Sequence, residues 1–387
     1  MKICKKWQIT NLFSYFFIFN DIIIIGDNMR VVISAGGTGG HINPALAIID
    51  KIKEEDKTSE FLYIGTTNRM EKDIIPEKGI PYVGIEMQGI SRKITFKNFQ
   101  AVFKYLKAIN ICKKEIKKFN PDIVIGAGGY VTAPVIYAAK KCGYKTLVHE
   151  QNSILGLSNK ILLKYTDTLC TSFESMKLDK VHYVYTGNPT SESTLNKRPY
   201  KKEEFGLSKS KKLVLIVMGS QGSSTVNEIL KKTLNKFDDK KYQIVIVTGK
   251  GYFDEFNKLK KSKNVFIFPY IDDLSRLMKV TDVLVTRAGA STLSEIMATK
   301  TPSILIPSPY VTENHQYKNA MDLVNKNAAV ILEEKDLNVE SLIENIDKLI
   351  NDSNKVLDIK DNLAKLCKTN STTLIYNEIE KLINKGE

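Results

Sequence analysis

Two titratable residues stand where the chain pattern could make a reactive position. His41 closes the loop Gly36-Gly37-Thr38-Gly39-Gly40, and an imidazole there is placed to accept a proton near neutral pH. The loop has few side chains, so backbone N–H groups can approach an oxyanion at a helix N-terminus. It lacks GxGxxG spacing, an acid ending a second strand, and the Lys-Ser/Thr of a P-loop, so a dinucleotide site is poorly supported. The plain alternative is a tight turn with a histidine bonded to backbone. Glu295 is the second position. The β-branched run Val283–Thr286 ends at Arg287-Ala288-Gly289, Ser291 and Thr292 can cap the following helix, and Glu295 lies one turn in, where it could hold the two hydroxyls of a ribose. The alternative is a capped helix with a solvated glutamate. A further strand, Ser303–Ile306, stops at Pro307 and opens a polar loop carrying His315-Gln316.

Other stretches supply polar groups at strand ends. Gly219-Ser220-Gln221-Gly222-Ser223 offers hydroxyls and amides suited to a pyrophosphate without a metal, and no cluster of acids or histidines with ligand spacing lies nearby. His149-Glu150-Gln151-Asn152, with Asn159 beyond, is either a set of sugar contacts or a hydrogen-bonded loop. Tyr270-Ile271-Asp272-Asp273 is either a turn or backbone that reads a planar base. Ile90, Arg92 and Lys93 precede Phe96, Phe99, Phe103 and Leu106 at helical spacing, with Lys97, Lys104 and Lys107 among them. Such a basic amphipathic helix either lies on an anionic bilayer or packs its phenylalanines on a sheet.

The elements that must hold these residues alternate. Strands at Arg30–Ser34, Phe61–Ile64, Ile123–Ile125 and Thr146–Val148 are separated by glycine loops and helices, one of them running from about Pro44 to Glu55, and Leu213–Val217, Gln243–Val247, Val283–Val285 and Ser303–Ile306 repeat the plan. This predicts an α/β protein of two tandem Rossmann-like doubly wound domains facing a central cleft. The expected bounds are 29–188, a linker over 189–212 rich in lysine and without apolar period, 213–372, and a terminal helix in 373–387 that crosses back to the first domain. Residues 1–28 carry Lys2, Lys5 and Lys6 before a short apolar run broken by Asn20-Asp21. They read as an extension, either translated from a start placed too far upstream or touching a membrane.

Composition narrows the partners. Five scattered cysteines form no CxxC pair, which argues against a disulfide framework or zinc site. The formal charge of +14 suits an anionic partner, although lysine spread evenly along the chain would give the same figure. Aromatics do not interleave with the basic residues, so nucleic acid is not expected.

From Met29 to near the C-terminus these motifs, in this order, resemble the MurG family of bacterial cell-wall glycosyltransferases: Gly36–His41, Gly126–Tyr130, His149–Asn152, Gly187-Asn188-Pro189, Gly219–Gly222, Arg287–Glu295 and His315-Gln316. The resemblance implies a GT-B fold with UDP-GlcNAc held mainly by the second domain. It implies a lipid acceptor, undecaprenyl-pyrophosphoryl-MurNAc-pentapeptide (lipid I), approached from the first. The reaction would give lipid II and UDP in peptidoglycan synthesis, at the cytoplasmic side of the cell membrane and alongside other cell-wall synthesis proteins. Carried over by position, Thr38, Gly39, Gly40, Asn152, Ser220, Gln221, Ile271, Ala290, Ser291, Thr292, Leu293, Ser294, Glu295 and Gln316 would contact the donor, with Arg287 as a further candidate. The family commonly has Val-Arg after Gly-Asn-Pro, where this chain has Thr190-Ser191. At Ser191, therefore, either a lysine or Arg198 compensates for the missing arginine or donor affinity is weaker. The expected mechanism is inverting displacement with His41 as general base, Glu150 as its rival or helper, and neither metal nor cofactor. A relative acting on another lipid, a UDP-sugar epimerase, and a non-catalytic or NAD-binding tandem α/β protein are the other readings.

Overall fold

The computed structural model describes residues 28–87, 96–176, 178, 179, 181–219 and 222–384, with the backbone alone for 96–100. In chain order the first half comprises β1 (Arg30–Ser34), α1 (Gly39–Glu55), β2 (Glu60–Thr66), α2 (Glu71–Glu77), β3 (Tyr82–Ile85), α3 (Phe96–Phe119), β4 (Ile123–Gly126), α4 (Thr132–Lys141), β5 (Lys145–Glu150), α5 (Leu157–Leu162), β6 (Thr168–Thr171) and β7 (Tyr183–Tyr185). A short helix, α6 (Pro189–Leu195), follows. The second half runs β8 (Lys212–Val217), α7 (Ser224–Thr233), β9 (Tyr242–Val247), α8 (Phe253–Asn257), β10 (Val265–Phe268), α9 (Leu274–Met278), β11 (Val283–Thr286), α10 (Ala290–Thr299), β12 (Ser303–Leu305), α11 (His315–Val324), β13 (Val330–Ile331), α12 (Val339–Asn351), α13 (Ser353–Leu366) and α14 (Ser371–Asn384).

Both sheets are parallel, ordered β3-β2-β1-β4-β5-β6-β7 and β10-β9-β8-β11-β12-β13. Buried β-branched runs such as Leu213–Val217 can only be covered on both faces, which is what crossover helices do. In the first sheet Val31 and Ile33 join α1 on one face while Val32 meets α3 and α4 on the other, the period of two expected of a strand. Strand order reverses between β1 and β4 and between β8 and β11. Loops leaving the carboxyl ends at those points diverge and leave a crevice, so the glycine loops 36–40 and 126–129, and Gly219 after β8, all open there.

Two segments join the halves. The stretch expected as a plain linker contains α6, started by Asn188, whose side chain accepts from Thr190 N–H, with Pro189 in the first turn. It packs against α10 of the second domain and α1 of the first. The return crossing is α14, whose Ile375 and Ile379 enter the core of the first domain beside Val31 and Ile42. Glu192 of α6 accepts from Thr372 N–H and O–H at 2.7 and 2.6 Å, tying the two crossings together.

Candidate active site in the interdomain cleft

A cavity of about 460 Å³ lies where β8, β9 and β11 end, lined by Thr286, Thr292 and Glu295 of the second domain, by Tyr270-Ile271, and by Asn43 and α6. Gly289 rather than Ser291 caps α10, and no side chain accepts from its first-turn amides. Those amides and the positive end of the helix dipole thus face the cleft without a local partner side chain. Of the stretch expected to contact a donor, Ala290, Leu293 and Ser294 are buried and offer at most backbone, whereas Thr292 and Glu295 line the cavity. Glu295 is partly buried and its carboxyl is pushed up to about 7 by desolvation, against the pull of Lys197 and with a further push from Asp273. Lys197 reaches over from just past α6 and pairs with Asp273 at 2.7 Å.

The first domain supplies His41, in the first turn of α1. The helix begins at Gly39, earlier than the glycines suggested, with Thr38 as an extended N-cap. His41 Nδ1 lies 3.1 Å from the Gly36 carbonyl. A carbonyl only accepts, so Nδ1 carries the proton and the Nε2 lone pair is free. The backbone-bonded histidine and the proton acceptor are therefore the same arrangement. Burial lowers the imidazole's pKa, while Glu150 and the Gly36 carbonyl oppose that shift.

Glu150 is differently employed. Its Oε1 accepts from Asn152 N–H and Nδ2–H at 2.9 and 3.0 Å, and its Oε2 accepts from Gly156 N–H and Asn159 Nδ2–H at 2.9 and 2.8 Å. With both oxygens held by loop donors, its geometry fits loop organisation better than proton transfer. His149 donates to the Gly187 carbonyl and accepts from Gln151, so this motif is mainly a hydrogen-bonded loop. Asn152 Oδ1 receives Asn319 Nδ2–H at 3.1 Å, a contact between the domains.

The remaining candidates separate. Ser291 Oγ donates to the Gly40 carbonyl at 3.1 Å across the cleft. That carbonyl is open because Pro44, four residues on, has no N–H to offer it. Gln316 holds Ser308 N–H through Oε1 at 2.9 Å. Arg287 is removed from the cavity: it pairs with Glu334 at 2.6 Å and donates to Ser223 Oγ and the Ile306 carbonyl. Ser191 is buried, its hydroxyl bonded to Asn188 O at 2.5 Å, and cannot stand in for an arginine. Ser220, Gln221, Ile90, Arg92 and Lys93 lie outside the described residues, as do the side chains of Phe96 and Phe99.

Residues 31–171 match the glycosyltransferase family 28 N-terminal domain, and residues 213–375 match the family 28 C-terminal domain. The chain belongs to glycosyltransferase family 28. The UDP-N-acetylglucosamine--N-acetylmuramyl-(pentapeptide) pyrophosphoryl-undecaprenol N-acetylglucosamine transferase 2 of Bacillus thuringiensis (strain Al Hakam) is 43% identical over 364 residues, 92% of this chain and 100% of its own length. The Bacillus licheniformis transferase is 42% identical over 92% of this chain and 99% of its own. The crystal structure of Acinetobacter baumannii MurG superposes with a TM-score of 0.72 at 26% identity, covering 91% of this chain and 99% of that one. The calicheamicin glycosyltransferase CalG4, at a TM-score of 0.70, 12% identity and cover of 92% and 99%, shares the fold alone.

Within this family 28 architecture, several residues at the cleft were not legible beforehand. Asn319, fully buried, accepts from Ser153 N–H and Oγ–H at 2.8 and 2.9 Å and donates to Asn152 and Ala288 O, while Lys160 and Glu313 pair at 3.0 Å beside it. In sequence Asn319 is an ordinary polar helix residue. Thr190, Thr194 and Lys197 border the cavity from the segment read as linker. Glu71, far in sequence from every motif, does not line the cavity but accepts from Gly37 N–H.

Proposed function

We propose that this family 28 enzyme transfers N-acetylglucosamine from UDP-GlcNAc to the MurNAc 4-hydroxyl of undecaprenyl-pyrophosphoryl-MurNAc-pentapeptide, releasing UDP. Support comes from the activity named for relatives 43% identical over their full length. The observation that carries it is the junction of the two half-sites. His41, with Nε2 free, adjoins Gly40, which is bonded to Ser291 of the helix that borders the cavity with Glu295.

In this reading the acceptor hydroxyl gives its proton to His41 Nε2 as its oxygen attacks the anomeric carbon from the face opposite UDP. The bond to the β-phosphate oxygen breaks, its electron pair leaves with UDP, and configuration inverts. Glu295 holds the ribose hydroxyls, the Ile271 backbone faces the base, and Thr38, Gly39, Gly40 and Gln316 border the sugar. The developing charge on UDP meets the first-turn amides of α10 and the Lys197 ammonium, which supplies the positive charge that Ser191 does not. We propose that neither metal nor cofactor takes part. The decisive experiment is turnover of radiolabelled UDP-GlcNAc with purified lipid I, with and without chelator. Label should move to the lipid in both cases. Absence of transfer, or a thermal shift with NAD in place of UDP-GlcNAc, overturns the assignment, and loss with chelator overturns the metal-free step.

The same proposal places the enzyme peripherally on the cytoplasmic face of the membrane. Among the described residues no helix is long and apolar enough to cross a bilayer. On α3, Val102, Phe103 and Leu106 are exposed, Phe103 by 71%, beside Lys104 and Lys107. Phe103→Ala should reduce co-flotation with phosphatidylglycerol vesicles without altering flotation with phosphatidylcholine. An equal, unaltered response to both would remove this face from membrane contact.

A further inference from the structure

Glu71 opens α2 beneath the first glycine-rich loop, and the chemistry above makes no use of it. Its carboxylate is fully buried. Oε1 accepts from Thr66 N–H at 3.0 Å and Thr66 Oγ–H at 2.6 Å, and Oε2 accepts from Gly37 N–H at 3.0 Å. All three donors are neutral. A buried carboxylate satisfied by neutral groups is costly to keep, and a fold needing only to fill this space would be served by an apolar side chain.

What the carboxylate touches is the segment that orients His41. A Cβ on Gly36 would sit 2.5 Å from Glu71 Oε1 and 3.0 Å from Val131, so Gly36 is pressed against the acid. Gly36 N–H donates to Gly128 O at 3.2 Å, and Gly36 O takes the His41 Nδ1 proton. The Gly36–Gly37 peptide is therefore held at both ends, its N–H by Glu71 and its carbonyl by His41, and the direction of that carbonyl decides which ring nitrogen is protonated. It also means that Gly37 N–H is already committed to an acid, so the first loop is not a free anion cradle as its glycines suggested.

We propose that Glu71 is a positioning residue for the reaction: it holds Gly36-Gly37 so that His41 keeps its proton on Nδ1 and presents Nε2 to the acceptor hydroxyl. The inference rests on His41 being the base. The charged groups that act on His41 are Glu150 from β5, Glu71 from α2 and His315 from α11, the two acids favouring the imidazolium and His315 opposing it. Removing the Glu71 charge thus lowers the His41 pKa, and the acid limb of kcat/KM moves to lower pH.

The test compares Glu71→Gln, Glu71→Asp and Tyr82→Phe in the full chain by kcat and KM across pH, with nitrogen NMR of the His41 ring in the absence of acceptor. Tyr82 bonds Thr66 O at 2.6 Å in the same neighbourhood without touching Gly37. Glu71→Gln should lower kcat by between about tenfold and a hundredfold, as expected for small misplacement of a reacting group. KM for UDP-GlcNAc should hold, and both the acid limb and the His41 titration should move down in pH. Glu71→Asp keeps the charge but not the reach, so kcat falls with the limb in place, while Tyr82→Phe stays near wild type. A folded Glu71→Gln with wild-type kcat and limb overturns the proposal, as does an equal loss in Tyr82→Phe. Should Glu71→Gln not fold, unchanged kcat in Glu71→Asp overturns it. Should the wild type fail to turn over, the transfer reading fails separately, and an Nε2-protonated His41 in the wild type still overturns the positioning role.

Discussion

Glu295 and His41 place opposite demands on the same cleft. Desolvation holds the Glu295 carboxyl at about 7, so near neutral pH only part of it is ionised to accept from ribose hydroxyls. Binding of UDP-GlcNAc should strengthen between about pH 6 and 8, and Glu295→Gln should flatten that slope and weaken binding by roughly tenfold to a hundredfold, the scale of a charge-assisted hydrogen bond; calorimetry at several pH values checks both. Stability runs the other way. A carboxyl with raised folded pKa contributes stability below its unfolded value of 4.5 and loses it as pH rises through 7. Glu295→Gln should therefore melt higher than wild type at pH 8 and no higher at pH 4. For His41→Ala the expected outcome is a fall in kcat of about a hundredfold or more, the scale of general base catalysis, with UDP affinity kept. Equal losses in both would exclude it from the chemistry. The sequence marked His41 because it closes a glycine loop and Glu295 because it lies one turn into a helix that follows a strand end. It could not tell that Leu293 and Ser294 face inward or that Arg287 pairs with Glu334, which depend on partners distant in sequence, nor that Glu150 is saturated, which depends on how the local loop folds back on it.

At the level of elements, Gly187 shows how the crossings are joined. Its φ is +76°, and a Cβ would stand 2.6 Å from both Lys368 Cβ and Ser371 Oγ. Gly187→Ala combines left-handed strain with overlap and should destabilise the protein by about 2–4 kcal/mol, read as a lower denaturant midpoint. An unchanged midpoint would show that α14 yields there. The β-branched runs made the strands legible, β1 to the residue, because buried parallel strands leave a continuous apolar signature. Helix α6 was not legible: seven residues of Pro-Thr-Ser-Glu-Ser-Thr-Leu carry no apolar stripe, and the helix is stabilised by what packs on both its sides. The start of α1 was placed late because glycines read as loop, although here they form a first turn.

For the whole molecule, Asn319 bonds to groups of both domains at once. Asn319→Ala strands Ser153 and Asn152 and should lower kcat/KM about tenfold or more, given a loss of about 1–3 kcal/mol for unmade buried hydrogen bonds, with UDP binding to the second domain little changed. Unaltered kcat/KM would mean that this contact does not contribute to bringing the substrates together. The tandem plan was visible in the repeat of strand, glycine loop and helix, but the angle between lobes was not, since no local pattern encodes a contact made by two strangers. Pro44 illustrates the point from inside a single helix. By withholding one proton from the turn before it, this ring leaves an oxygen thirsty at the rim of one lobe, and a hydroxyl on the other lobe quenches it. Alanine in its place would let the helix satisfy itself, and the two halves would then have one reason fewer to meet.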